Sequence, residues 1–88
     1  MKIKEGFLLR EIAGTHIVVP IGERVIDFKG MMVLNDVSAD VWLFFSEHRS
    51  FEEVVEYVLE SYEVDRQTVE SDLKDLIERM EASGVIEV

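Results

Sequence analysis

The sequence contains no cysteine, which excludes disulfide bonds, thiolate metal sites, iron–sulfur clusters and cysteine nucleophiles. Long apolar runs are also missing, because no run is longer than the five residues of 17–21, whereas a membrane-spanning helix needs roughly 20 residues. The start of the chain shows no signal-peptide pattern, and no internal repeat or low-complexity tract follows it. We therefore expect one cytoplasmic domain that covers residues 1–88.

Basic residues are scarce: 9 Lys and Arg stand against 19 Asp and Glu, for a net charge of −10. The imbalance is uneven, since residues 1–31 carry five basic and four acidic side chains, and residues 32–88 carry four and fifteen. Phosphate groups and anionic lipids are repelled by such a surface. We therefore expect neither a nucleic acid nor a membrane as partner.

Side chains for catalysis or metal binding are few. The two histidines, His16 and His48, have no metal-ligand spacing to a carboxylate cluster. No glycine-rich phosphate loop and no serine nucleophile motif occurs. The glutamates of the second predicted helix are typical of a solvated face. The sequence therefore predicts a protein that is not an enzyme and needs neither cofactor nor metal.

Three strands are predicted before any helix. Two of them, Phe7–Ile12 and Thr15–Pro20, flank the dipeptide Ala13-Gly14, which suits a tight hairpin turn. A short extended piece is expected at residues 25–28, and residues 31–34 form the third strand. Because runs of strands precede runs of helices, the order indicates an α+β fold.

Three helices follow, each with a start signal. Asn35-Asp36 begins the first, with Ser38 as an alternative cap. Ser50 and Glu53 fit a capping box for the second, and Asp65 caps the third. Gly84 ends the third helix, and residues 85–88 form a short extended segment. The fold class is therefore winged-helix-like, with a three-stranded antiparallel sheet followed by three helices.

The third predicted strand is apolar on both faces. Met31 and Val33 share one face, and Met32 and Leu34 share the other. One interpretation buries both faces, under the helices and under residues 22–30. The other leaves the strand at an exposed edge, which proteins normally protect with charge, proline or a bulge. The strand itself contains none of these, which makes it a candidate for pairing with another chain.

A DNA-binding interpretation of the third helix is disfavoured by charge. Between Asp65 and Gly84 the sequence has three basic side chains against six acidic ones. A recognition helix needs Lys or Arg for phosphate contacts.

Several short motifs resemble, in the same order, those of the PqqD family, named for the D protein of pyrroloquinoline quinone synthesis. They cover nearly the whole chain: Gly6-Phe7, Val18-Val19-Pro20, Leu34-Asn35, Ser38-Ala39, Val41-Trp42, Phe51-Glu52-Glu53-Val54, Tyr62-Glu63-Val64-Asp65, Asp72-Leu73 and Gly84-Val85-Ile86. One departure is Val37, where many members have a small hydroxyl residue.

The resemblance implies a function. Members of this family bind the leader segment of a ribosomally made precursor peptide and deliver it to a modifying enzyme, often a radical S-adenosylmethionine protein. The leader adds as a strand and lies beside the third helix. Carried over by position, the peptide-binding residues are Met31, Met32, Val33 and Leu34 on the strand and Val69, Asp72, Leu73, Leu76, Ile77 and Met80 on the helix.

An alternative function uses the same strand edge for a protein–protein adaptor or a homodimer. The sequence leaves the oligomeric state, the precursor peptide and the orientation of a bound leader open.

Overall fold

The computed structural model describes residues 1–24 and 32–87. In this part of the chain the strands and helices, in order, are β1 (Lys2–Ile3), β2 (Phe7–Ile12), β3 (Thr15–Pro20), β4 (Met32–Leu34), α1 (Asp36–Phe44), α2 (Phe51–Ser61), α3 (Arg66–Ser83) and β5 (Ile86–Glu87). The predicted extended piece at residues 25–28, the residue Met31 and the terminal Val88 lie outside the described residues.

The β2–β3 hairpin forms where the sequence predicts it. Its two-residue turn has positive φ at both positions, 52° at Ala13 and 80° at Gly14. This geometry matches the right-handed twist of the flanking strands, and Gly adopts it without steric cost. β4 then pairs with β3, so the antiparallel sheet has the order β2-β3-β4. The predicted three-stranded sheet is confirmed, with β4 at one edge.

The helix boundaries follow local capping chemistry. The Asn35 side chain accepts the Ser38 N–H at 2.8 Å, so Asn35 caps α1 and Ser38 does not. Both bonds of the predicted capping box link Ser50 and Glu53 at the start of α2. Asp65 caps α3, which ends at Gly84 in the left-handed region, with φ at 74°. Each cap satisfies backbone groups that have no partner within the helix.

A second, smaller sheet joins the two ends of the domain. β1 pairs with β5 antiparallel, with Lys2 opposite Glu87 and Ile3 opposite Ile86. The terminal extended segment is confirmed by β5, whereas β1 was not predicted. Two residues are too few to show the alternation that identifies a strand, so β1 depends on its tertiary partner.

One core holds the sheet and helices together. Its buried apolar side chains come from every layer: Val18, Met32, Leu34, Val41, Trp42, Phe45, Val54, Val55, Val58, Val69, Leu73, Leu76, Ile77, Met80, Val85 and Ile86. The inner face of the sheet packs on the helices, as expected for an α+β domain. Within the described residues, no helix has both the length and the apolar character needed to cross a membrane.

Candidate functional site

The hairpin turn fixes which backbone groups of β3 face β2. In a two-residue hairpin the residues next to the turn, here Ile12 and Thr15, form a hydrogen-bonded pair, and such pairs alternate along the strands. Ile17 therefore bonds toward β2. Pro20, which lacks an N–H, stands opposite Phe7 at a position where no bond toward β2 is required. His16 and Val18 consequently direct their backbone groups toward β4.

The same alternation determines the outer edge of β4. Leu34 lies opposite His16, and Met32 lies opposite Val18, so both bond to β3. Val33 lies opposite Ile17, and its N–H and C=O point away from the sheet. In the sheet order β4 has no second neighbour among the described strands. Val33 thus presents one backbone donor and one acceptor at an edge that another strand can extend.

The side chains of β4 divide between core and solvent. Met32 and Leu34 are 6% and 3% exposed and belong to the core, whereas Val33 is 51% exposed. The inner face is therefore covered by the protein itself, and the outer face is open at Val33. Cross-strand pairing places Val33 on the same outer face as the exposed Leu8 and Ile12 of β2.

The residues predicted on α3 are mostly buried. Val69, Leu73, Leu76, Ile77 and Met80 are all in the core, with at most 7% exposure. Asp72 is exposed on the same helix. The apolar side chains that the family resemblance assigned to the peptide-binding wall are therefore, in the first place, the packing face of the helix, as their i, i+4, i+7 spacing indicates.

A cavity of about 380 Å³ lies between α1, the end of α2 and α3. The predicted residues Val69, Asp72, Leu73 and Leu76 line it, whereas Ile77 and Met80 do not. The lining comprises Asn35, Val37, Ser38, Val41, Val58, Tyr62, Val64, Thr68, Val69, Asp72, Leu73, Asp75, Leu76 and Arg79. Of these residues, Asn35 directly follows β4, and Arg79 contacts β4 at Val33. The cavity therefore adjoins the open strand edge. A side chain from a strand added to β4 has apolar space to enter there.

Several lining residues are not among those predicted from the sequence. Val37, Tyr62 and Val64 come from three separate segments, and no local pattern links them. A signal did exist on α3, because Thr68, Asp72, Asp75 and Arg79 recur at helical spacing beside the apolar stripe. The exposed face of α3 next to the core stripe therefore forms the rim of the cavity.

Charge at the cavity rim is carried by α3. Asp72, Asp75 and Arg79 are exposed, and each lines the cavity. The Arg79 Nη2 donates to the Val33 carbonyl oxygen at 3.4 Å, which is long for a hydrogen bond. This contact connects α3 to the outer edge of β4.

Tyr62 closes the cavity on the side of α2. Its hydroxyl donates to the Asp40 carboxylate of α1. That hydrogen bond, with partial burial and the charge of Asp40, raises the pKa of Tyr62 to about 12. Ionisation of the phenol would place two negative charges side by side, so Tyr62 is a neutral donor at physiological pH.

Both histidines pair with carboxylates. His16 Nε2 lies 2.8 Å from Asp36 Oδ1, which connects β3 to the first turn of α1, and His48 Nε2 lies 3.8 Å from Glu87 Oε1. Across residues 1–24 and 32–87 no group of three or more His, Cys, Asp or Glu side chains is arranged to hold a metal ion. The site thus combines an apolar cavity, a charged rim on α3 and a strand edge that another chain can extend.

A winged-helix-like domain with an extendable strand edge beside an apolar cavity has the features of a peptide-binding module. The sequence profile of the PqqD family, coenzyme PQQ synthesis protein D, matches residues 15–86. The chain therefore belongs to the PqqD family, which confirms the resemblance of its ordered motifs. Proteins of this family are precursor-peptide recognition elements in the biosynthesis of ribosomally made, modified peptides.

Two solved structures share the fold. One is TbiB1 in complex with the TbiA(beta) leader peptide, with a TM-score of 0.76 and 25% identity over 99% of this chain and 95% of that chain. The other is lasso peptide synthetase B1 complexed with the leader peptide, with a TM-score of 0.71 and 18% identity over 96% of this chain and 93% of that chain. No curated protein sequence matches this chain.

Proposed function

We propose that this protein binds the leader segment of a ribosomally synthesised precursor peptide by strand addition and presents it to a modifying enzyme. The observation that carries the proposal is the outward-facing backbone of Val33 on the open edge of β4, next to the apolar cavity. Family membership and a solved relative that is 25% identical and complexed with its leader peptide support the same function.

In this binding mode the leader extends the sheet as a new edge strand. The leader exchanges backbone hydrogen bonds with Val33, while residues Met32 and Leu34 keep their bonds to β3. Because side chains alternate along a strand, every second leader side chain enters the cavity, and the others lie on the outer face beside Val33. Backbone pairing supplies affinity, and the cavity selects side chains.

The proposed site divides into three groups by the part that each residue plays. Val33 provides the pairing edge, and Met31, which precedes β4, is proposed to prolong it. Met32 and Leu34 hold the edge strand on the core. The wall of the cavity comprises Val69, Asp72, Leu73 and Leu76, and Ile77 and Met80 support it from the core.

The protein acts as a peptide chaperone or adaptor, and catalysis belongs to its partner. We propose a radical S-adenosylmethionine protein as that modifying enzyme, because the family resemblance implies one. The cytoplasm, which was the expectation from the sequence, is the proposed place where it works. The acidic surface of residues 32–88 favours partners that present Lys or Arg, mainly by raising the rate of encounter.

An NMR titration tests the proposal. The ligand is a synthetic leader peptide of a precursor to be identified among the neighbouring genes, and a scrambled peptide of equal composition is the control. We expect the amide signals of Val33 and of the α3 residues from Thr68 to Arg79 to shift. The signals of the α2 residues that do not line the cavity should stay unchanged. Unchanged spectra at millimolar leader peptide would contradict leader binding.

Self-association is a second candidate function, favoured by the exposed apolar side chains Leu8, Ile12 and Val33 on the outer face of the sheet. In that case β4 would pair with β4 of a second copy. Light scattering separates the two functions: a dimer that persists with added leader peptide supports self-association, whereas a monomer that binds one peptide supports the adaptor function.

A further inference from the structure

The apolar edge of β4 does not by itself specify how a leader binds. One N–H and one C=O at Val33 accept a strand in either direction, and a flat apolar edge specifies register only weakly. The cavity selects an apolar side chain, but many sequences contain one. Charged groups at the rim are therefore the features of this site that can distinguish one leader sequence or direction from another.

Arg79 is placed to make such a distinction. In the described part of the chain it forms no ion pair, although Asp75 lies one helical turn before it, and its single polar contact is the 3.4 Å bond to the Val33 carbonyl. A guanidinium has five N–H donors, and a carbonyl oxygen accepts two hydrogen bonds. Arg79 can therefore remain beside Val33 while a leader strand pairs there, with most of its donors directed at the leader.

Asp75 supplies the opposite charge on the same rim. Within the described residues its carboxylate has neither a hydrogen bond nor an ion pair, and it lines the cavity with Arg79. Four residues along a helix correspond to about 6 Å. Alternate residues of a strand are about 6.7 Å apart. A strand laid along α3 can thus place two side chains of the same face opposite Asp75 and Arg79.

From this arrangement we infer that the site takes leaders with an acidic and a basic side chain two residues apart, the acidic one on Arg79 and the basic one on Asp75. The pair fixes the direction of the bound strand, because the reversed strand brings like charges together at both positions. This inference rests on the proposed function, since it defines the peptide class for the same site.

A display selection tests the inference without a known leader. Random 12-residue peptides are selected on the full-length wild-type protein, on Arg79→Glu and on Lys74→Glu. The last variant is the matched control, because Lys74 is exposed on α3, does not line the cavity and gives the same change of charge. Circular dichroism verifies that the variants fold. If Arg79→Glu does not fold, Arg79→Gln is used in its place.

We expect wild type and Lys74→Glu to select Asp or Glu two positions from Lys or Arg, and Arg79→Glu to replace the acidic preference with a basic one. With Arg79→Gln the acidic preference disappears. Replacing the selected Glu by Gln in one peptide should weaken binding about two- to fivefold on wild type and far less on Arg79→Gln.

Two other kinds of result would contradict either the role of Arg79 or the proposed function, and the experiment distinguishes between them. The role of Arg79 would be refuted if the selected peptides are apolar and contain no charged pair. It would also be refuted if Arg79→Glu selects the same charged pair as wild type. Either result leaves leader binding intact. If the wild type selects no peptides, or peptides whose binding is unaffected by Val33→Pro, the proposed function fails and the inference fails with it.

Discussion

Ile17 of β3 lies directly opposite Val33 of β4 in a pair that exchanges no backbone hydrogen bonds. This register has a functional consequence, because it turns the N–H and C=O of Val33 toward the open edge. A register shifted by one residue would direct the backbone groups of Met32 and Leu34 outward and expose two core side chains. The hairpin turn at Ala13-Gly14 fixes the alternation on which this arrangement depends.

The first prediction concerns Val33→Pro. The substitution removes an N–H that faces away from β3, so the β3–β4 ladder keeps its hydrogen bonds and the fold should survive. Leader binding should weaken at least about tenfold, because a backbone donor is lost and the proline ring obstructs the edge. Fluorescence anisotropy with labelled leader peptide measures the affinity, and thermal unfolding measures stability.

Two controls accompany this experiment. Val33→Ala keeps the N–H and should bind within a few-fold of wild type. Met32→Pro removes an N–H that bonds to β3 and should lower the melting temperature strongly. If Val33→Pro binds the leader as well as Val33→Ala does, strand addition at this edge is wrong.

The second prediction concerns the cavity. Val37→Arg places a long charged side chain on the α1 wall, where it competes with an apolar leader side chain for the space. We expect leader affinity to fall about tenfold or more, since the burial of one leucine-sized side chain contributes roughly 1.5–3 kcal/mol. Isothermal titration calorimetry measures the change.

Leu43→Arg is the matched control for the cavity. Leu43 lies on the same helix, is 61% exposed and does not line the cavity. The affinity of the Leu43→Arg variant for the leader should equal that of wild type. Equal losses of affinity in both variants would mean that charge on α1, and not occupation of the cavity, controls binding.

The third prediction concerns Tyr62 and pH. The hydrogen bond to Asp40 raises the pKa of Tyr62 to about 12, above that of a phenol in the unfolded chain. Stabilisation by this bond is therefore fully present below about pH 10 and is lost as pH rises through the folded-state value. Tyr62→Phe should have a lower melting temperature at neutral pH, and its difference from wild type should shrink above pH 10.

Absorbance of tyrosinate in the ultraviolet region identifies the group. The difference between the titration curves of wild type and Tyr62→Phe should show one midpoint near pH 12. Tyr57→Phe, which keeps the Tyr62–Asp40 bond, should retain that midpoint. A Tyr62 midpoint near the ordinary value of about 10 would show that the bond does not persist in solution.

The fourth prediction concerns the contact between α2 and α3. Arg66 of α3 pairs with Glu52 at 2.8 Å and also with Glu56, and these carboxylates hold the pKa of Arg66 above its ordinary value. Arg66→Gln should lower the melting temperature at low ionic strength. The loss should decrease at about 1 M salt, where screening acts over about 3 Å.

Lys74→Gln is the control for Arg66, because it removes a cation from the same helix that has no ion pair among the described residues. Its melting temperature should change little at either salt concentration. A loss for Arg66→Gln that does not depend on salt would assign the stabilisation to packing of the arginine stem and not to charge.

Local signals allowed much of the fold to be predicted. Ala13-Gly14 specified the hairpin, and Asn35, Ser50 and Asp65 specified the three helix starts, because turn and cap chemistry involve residues only a few positions apart. The apolar spacing of α2 and α3 indicated their buried faces for the same reason. In contrast, β1 was missed because it exists through its pairing with β5 at the other end of the chain.

The candidate site depended on longer distances. The family resemblance placed an apolar strand edge next to α3, but the sequence could not tell that Met32 and Leu34 are buried while Val33 is open. That division follows from the β3–β4 register. When all residues of a strand are apolar, the sequence is consistent with either face of the strand turned toward the core. The cavity wall and the Arg79–Val33 contact join residues far apart in sequence, for which no periodic pattern exists.

The sequence by itself determined the β2–β3 hairpin, the three helices with their caps, the acidic surface and the family, since each depends on neighbouring residues, on composition or on ordered motifs. Only the tertiary structure decided which backbone groups of β4 face outward, which α3 side chains reach the cavity and where Arg79 lies. These are properties of strand register and helix packing, which arise when distant segments exclude water from a common core.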